Sequence, residues 1–325
     1  MILEPSEDNI KQAADTLQNG GLVAFPTETV YGLGANALDS AACKKIYELK
    51  GRPARNPLVS HVSTLEQIMG LVAINSEREN SRLHKLAQLW PGPLTVVLSS
   101  NGKISSVATA GGSSIAVRIP QHPIALKLIS TAGIPIAAPS ANRSNYISPT
   151  TAKHVSDEFG DLAPTILDGG PARVGIESTI ISIIGEHPTL LRPGYITLED
   201  LREILGEEVY QLKDINEVTP LPSPGLLEKH YSPATKTIRL SQLNSDNLPT
   251  NSILVSLGSN RANQISPREQ VIEIAPNGDL AIAATALYST LRDLDQRKLS
   301  LIIIDECDQD GIGAALMDRI SRATA

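Results

Sequence analysis

The chain has 325 residues, 41% of them hydrophobic, which is apolar mass enough for about two domains of ordinary size. Its 28 basic and 35 acidic side chains leave a formal charge of −7, which argues against a general binder of phosphate backbones, because counterion release needs a surplus of clustered Lys and Arg. Two cysteines far apart, Cys43 and Cys307, make no disulfide framework, zinc cluster or CxxC redox motif. The opening MILEPSEDNI lacks a basic region followed by an apolar core, and no apolar run reaches the roughly 18 residues of a membrane span. The expectation is a cytoplasmic chain with no membrane partner.

Aromatic residues are only 3% of the chain, so its cores must be aliphatic. In chain order, Leu22–Phe25 is a short apolar run ended by Pro26, read as a buried strand. Asp39 or Ser40 can cap a helix running to Leu49, stopped by Gly51 and Pro53. A helix over Ser81–Leu89 precedes strand candidates Leu94–Leu98 and Ile115–Ile119. A second helix over Pro123–Thr131 precedes Ile134–Ala138, Thr179–Ile184 and Thr189–Leu191. Short β-branched runs separated by helices point to an α/β or α+β sheet rather than a sandwich.

Pro220, Pro222, Pro224 and Pro233 then mark a semi-rigid linker. Beyond it, Ser252–Leu257, Val271–Ile274 and Leu301–Asp305 alternate with helices Asp279–Arg297 and Ile312–Arg322. That pattern predicts a small parallel, Rossmann-like α/β domain. It lacks GxGxxG after a strand, so no dinucleotide site is expected there.

Familiar catalytic signatures are absent, and the six histidines have no metal spacing. What remains is cations and hydroxyls among loop-forming residues. KGRPARNP places Lys50, Arg52 and Arg55 within six residues, suited either to an anion or to a solvated turn. Arg118 lies inside an apolar strand, so it either faces solvent or enters a polar pocket. APSANRSNYISPT (138–150) is a Ser/Asn-rich loop that either binds an anion or simply turns. GIESTII puts Glu177, Ser178 and Thr179 at a strand entry, where a cap or turn role is as cheap, and Arg192 ends a strand before Pro-Gly. Together these suggest an anion site without a carboxylate pair, in which chemistry rests on positioning and charge stabilisation.

The same segments, in this order, closely resemble the YrdC-like threonylcarbamoyl-AMP synthases in their long form. The matching strings are FPTETVYGLG (25–34), KGRPARNPL (50–58), WPGPLTVVL (90–98), AVRIPQHP (116–123), APSAN (138–142), SPT (148–150), LDGG and GIESTII (167–181), LLRPG (190–194) and PG…HYSP (224–233). The tail matches through its α/β pattern and DRISRA (318–323). The resemblance implies a YrdC-like twisted mixed-sheet catalytic domain over residues 1–212. A Pro-rich linker or lid (213–235) and a small C-terminal Rossmann-like domain (236–325) would follow.

It also implies an activity: L-threonine, bicarbonate and ATP, with Mg2+ on the phosphates, give threonylcarbamoyl-AMP and pyrophosphate. The product would feed a downstream tRNA threonylcarbamoyl transferase that modifies an adenosine next to the anticodon, with a weak direct tRNA contact as a further expectation. By the same resemblance, Thr29, His61, Arg118, Ala138 and Ser178 contact threonine, Arg118 taking the carboxylate. Lys50, Arg52, Asn56, Ser140, Ser148 and Arg192 hold the phosphates, AMP moiety or bicarbonate, and Lys50 and Arg52 offset developing charge. Ser114 is a further nucleotide contact, and Tyr231 reaches over the nucleotide from the linker. The linker departs from the family pattern at Leu226, Leu227 and Glu228, while His230, Tyr231 and Pro233 are kept. An RNA-binding module and a hydrogenase-maturation carbamoyl-transfer domain are the competing readings. Net charge weighs against the first, and the second needs cysteines and length that are missing.

Overall fold

The computed structural model describes residues 1–211 and 231–325. The first part contributes β1 (Ile2–Leu3), β2 (Val23–Phe25), β3 (Gly32–Asn36), β4 (Val59–His61), β5 (Leu94–Ser99) and β6 (Ser114–Arg118). β7 (Ile136–Ala137), β8 (Thr165–Leu167), β9 (Thr179–Ser182), β10 (Thr189–Arg192) and β11 (Tyr210–Gln211) complete it. They form one mixed sheet in the order β1-β8-β2-β3-β7-β4-β6-β5-β9-β10-β11. Parallel β4–β6 pairing sets His61 opposite Arg118, and antiparallel β5–β6 pairing buries Val96 and Val117 side by side. All five β6 residues are buried, so Arg118 points into the interior and not to solvent.

Helices α1 (Glu7–Gln18), α2 (Ser40–Lys50), α3 (Leu65–Met69), α4 (Glu77–Leu86), α5 (Pro123–Ala132), α6 (Ala152–Phe159) and α7 (Leu198–Leu205) pack around this sheet. α2 forms between the two expected signals: Asp39 accepts the N–H groups of Ala41 and Ala42, and Gly51 ends it at φ 61°. α4 begins four residues before the expected start because Ser76 caps it, and residues 87–89 tighten into a single 3₁₀ turn. The strand expected over Ile134–Ala138 shrinks to two residues, since Pro135 and Pro139 flank it and offer no N–H. Leu17, Ile129 and Phe25 sit in the core layer between α1, α5 and the sheet.

The second part builds a four-stranded, all-parallel sheet. β12 (Thr237–Arg239), β13 (Ser252–Ser256), β14 (Val271–Glu273) and β15 (Leu301–Ile304) pair in the order β12-β15-β13-β14. α8 (Leu280–Asp295) and α9 (Ile312–Ala323) cover it, confirming a small parallel α/β unit. The added edge strand, β12, is half-exposed and too short to show a pattern in the sequence. The Pro-rich stretch expected to be a linker falls mainly outside the described residues, as do Leu226, Leu227, Glu228 and His230.

One apolar cluster crosses from sheet to sheet. Val30, Ile147 and Ile176 from the first part are buried with Leu287, Met317 and Ile320 from the second. Gly175 shows how tight the seam is: at φ 77°, a Cβ there would lie 2.5 Å from the carbonyl oxygen of Ala284.

Candidate active site

The site begins with the turn after β2. Thr27 donates to the Val30 carbonyl (2.6 Å) and lies 2.8 Å from the Thr29 hydroxyl. A hydroxyl has one proton to give, so the Thr29 proton goes to Thr27, which leaves Thr29 Oγ1 to accept from Arg118 Nη1 at 3.0 Å. Arg118 also donates to the Gly92 carbonyl and sits 2.7 Å from the Glu28 carboxylate. That charge contact lacks hydrogen-bond geometry, so Arg118 Nη2 and Glu28 Oε1 are both buried without a hydrogen-bond partner. Burial alone would raise the Glu28 pKa, but the Arg118 charge and the Gln121 N–H donated to the Glu28 carboxylate hold it below the usual value.

His61 stands beside Arg118 through the β4–β6 register, edge-on to Phe25 with ring centroids 6.0 Å apart. Burial, reinforced by the Arg118 charge, pushes its pKa down to about 3, so the imidazole is neutral at physiological pH. Its Nδ1 is buried with no partner. A neutral imidazole and a guanidinium side by side suit a small zwitterion carrying a hydroxyl and a carboxylate.

The second wall comes from β9 and β10. Arg192 donates through Nε (3.1 Å) and Nη2 (2.9 Å) to the Ser178 carbonyl and reaches the Ser178 hydroxyl. That hydroxyl also meets Thr95 at 2.8 Å. The strands can approach this closely because residue 194 is glycine, where a Cβ would fall 2.4 Å from the Thr179 nitrogen. Arg52 donates to the carbonyls of Asn56 and Pro57. Burial lowers its pKa only to about 10, so it stays cationic.

These walls enclose a cavity of about 60 Å³, lined by Thr29, His61, Arg118, Ala138 and Ser178 from the expected threonine set. Arg52, Ser140, Arg192 and Tyr231 from the expected nucleotide set line the same cavity. Four other expected residues do not line it. The Lys50 ammonium is turned behind the wall, donating to the carbonyls of Ser140 (2.6 Å) and Asn142, and burial drives its pKa well down. Ser148 is fully buried and donates to Glu177 at 2.5 Å. Asn56 has a buried amide nitrogen without a partner, next to Arg52. Ser114 lies at the far end of β6, paired with Ser99 and roughly 13 Å along the strand from Arg118.

The sequence reading missed Glu28, which sits between two threonines with no pattern to mark it. It left Glu177 open between a site role and a turn or cap, and this carboxylate is buried, lines the cavity, and binds Arg319 and Tyr288 from the second sheet's helices. Arg319 carried a usable signal: it falls among the buried apolar positions Leu316, Met317 and Ile320 of α9. Arg55, by contrast, is exposed, as the solvated-turn alternative expects.

Among the described residues, no three His, Cys, Asp or Glu side chains cluster to hold a metal, and no helix is long and apolar enough to cross a membrane. Glu177, which lines the cavity, and Glu28, beside Arg118, are each paired with an arginine, so the donor set does not fit a protein-bound cation.

Comparison with known proteins agrees with this architecture. Residues 15–194 match the Sua5/YciO/YrdC family, described as Telomere recombination, and residues 196–325 match the family described as Threonylcarbamoyl-AMP synthase, C-terminal domain. The threonylcarbamoyl-AMP synthase of Bacillus subtilis is 37% identical over 99% of this chain and 94% of its own length. That of Pyrococcus abyssi is 38% identical over 98% of this chain and 94% of its own. The crystal structure of P. abyssi Sua5 complexed with L-threonine superposes with a TM-score of 0.86 at 36% identity, covering 100% of this chain and 97% of that one. With both of its parts matched and near-complete relatives in two organisms, the chain belongs to the two-domain Sua5 family of threonylcarbamoyl-AMP synthases.

Proposed function

We infer that this chain condenses L-threonine, bicarbonate and ATP into threonylcarbamoyl-AMP, releasing pyrophosphate. The observation that carries the reading is one cavity lined both by Thr29, His61 and Arg118 and by Arg52, Ser140 and Arg192. Threonine's carboxylate would take the open side of Arg118, and its hydroxyl the neutral His61 or Ser178. Its amine attacks the carbon of bicarbonate and, with loss of water, gives a carbamate. A carbamate oxygen then attacks the α-phosphorus of ATP, and the bond to the β,γ-pyrophosphate breaks.

The chain's own residues position these groups and offset charge. Arg52 stays cationic, and it and Arg192 would face the phosphoryl oxygens, where a fixed positive charge is worth most. Neither carboxylate at the cavity is free to act as a base, since Arg118 and Arg319 hold them ionised and engaged. Mg2+ would arrive on the triphosphate. A cavity of about 60 Å³ is small beside the roughly 300–1,000 Å³ of ordinary ligand pockets. Nucleotide entry therefore requires a wall to withdraw, and Tyr231 stands at the edge of the linker. Passage of the adenylate to a tRNA-modifying transferase in the cytoplasm completes the proposal.

The test is pyrophosphate release from ATP with L-threonine and bicarbonate each omitted in turn. Release that needs both supports the reading. Release indifferent to threonine would sink it and point to another carbamate chemistry on the same scaffold.

A further inference from the structure

A second guanidinium, remote in sequence and carried by the other domain, is built into the wall of the cavity. Arg319 on α9 is completely buried. Its Nε donates to Glu177 Oε2 at 3.0 Å, its Nη1 to the Pro193 carbonyl at 2.7 Å, and its Nη2 reaches the Glu177 carbonyl at 3.5 Å. Those contacts bracket the second wall. Glu177 immediately precedes Ser178, Pro193 immediately follows Arg192, and Arg192 is itself bonded to Ser178. One planar side chain therefore spans the two strand ends that present Ser178 and Arg192 to the cavity.

The Glu177 carboxylate extends the arrangement. Oε1 accepts from Ser148 at 2.5 Å, and Oε2 accepts from Tyr288 of α8 at 3.0 Å. The Tyr231 ring lies 5.6 Å from the Arg319 guanidinium and stacks on Tyr288. We propose that Arg319 is a positioning residue for the synthase reaction: through Glu177 and Pro193 it fixes Ser178 and Arg192, so the C-terminal domain takes part in turnover without touching substrate. The proposal rests on reading the cavity as the reaction site.

Its physical basis is that a buried charge held in fixed directions by the Glu177 and Asp318 carboxylates and the Glu177 and Pro193 carbonyls cannot be replaced by packing alone. A strand end freed by even 1 Å loses the alignment that turnover needs. The test uses the full chain, with L-threonine- and bicarbonate-dependent pyrophosphate release and thermal unfolding measured together. Arg319→Met should lower kcat about 100-fold at a temperature where the variant is folded, the scale of a 1 Å misplacement. Arg319→Lys keeps the charge but not the fork, and should recover part of that loss. Arg319→Met combined with Glu177→Gln should lose far less than the product of the two single losses, because the Glu177 part of the Arg319 action is common to both changes.

A merely structural Arg319 would lower Tm and leave kcat per folded molecule within about twofold of the parent, and that result overturns the proposal. Losses that multiply in the double variant overturn it as well. Should Arg319→Met fail to fold, Arg319→Lys and Tyr288→Phe decide, since each perturbs the same carboxylate more gently; unchanged kcat in both overturns the role. Arg118→Ala is the control for the underlying reading. If it too keeps full turnover, the cavity is not the reaction site. If it loses turnover while Arg319→Met does not, only the positioning role falls.

Discussion

Arg118 and Arg319 are both buried arginines paired with glutamates, yet they are finished differently. Arg319 points its donors at a carboxylate, two backbone carbonyls and Asp318, so that each of its three nitrogens has a partner. Arg118 has a threonine hydroxyl, one carbonyl and a carboxylate at 2.7 Å whose direction is wrong for a hydrogen bond. A buried guanidinium with a partner at each nitrogen holds structure in place, whereas one left short of a partner is ready to receive one. The difference separates the receptive floor of the cavity from the wall that supports it.

The coarsest way to break the comparison is to remove the chain after Ser232. That uncovers Val30, Ile147 and Ile176, each worth about 1.5–3 kcal/mol of burial, and strips Glu177 of Arg319 and Tyr288. The expected outcome is loss of threonine-dependent pyrophosphate release. A truncated protein with full turnover would show that the floor works without its supported wall.

Arg118→Met is expected next in size. It strands Glu28 as a buried charge, costing about 3–5 kcal/mol in denaturant unfolding, and raises the KM for threonine more than that for ATP. Adding Glu28→Gln should restore most of the stability and none of the threonine affinity. Recovery of both together would mean that Arg118 was structural, like Arg319. Equal KM changes for the two substrates would remove it from the carboxylate. Ile176→Ala, at the fully buried seam, should cost about 2–4 kcal/mol by denaturation.

The floor of the site was easier to find in the sequence than the wall. Arg118 stood out because an arginine inside IAVRI is an electrostatic anomaly that short-range pattern reveals, although pattern left open which way it faced. KGRPARNP showed charge density but could not separate Arg52, which lines the cavity, from Arg55, which is exposed, or from Lys50, which turns to the carbonyls of Ser140 and Asn142. Those fates depend on where the 138–150 loop returns, a long-range fact. Glu177 and Arg319 are 142 residues apart, and nothing local to either announces the other. Both sheets were legible in class from β-branched runs, but β3 was not, because GLGAN has neither alternation nor branching. What carried the site beyond residue types was family resemblance.

The smallest effect sharpens the comparison through pH. Burial first, then the Arg118 charge, lowers the His61 pKa from 6.5 to about 3. Burial and Arg292 lower that of His154 to about 4. Each folded value lies below its unfolded one, so between them the unfolded chain binds more protons. The stabilisation is complete above pH 6.5 and is lost as pH falls toward 4 and 3. The slope is at most about 1.4 kcal/mol per pH unit for each histidine. Glu177, held at about 2 by Arg319 against its own burial, contributes its full stabilisation above its unfolded 4.5 and loses it only as pH falls from there toward 2. Between pH 7 and 5 the wall carboxylate is therefore nearly constant while the floor imidazole already contributes its slope. Urea midpoints at pH 7, 6 and 5 should fall in the parent and fall less in His61→Gln. A slope unchanged by that substitution would show that His61 is not held neutral in the folded protein, and the floor would lose the neutral imidazole assigned to it.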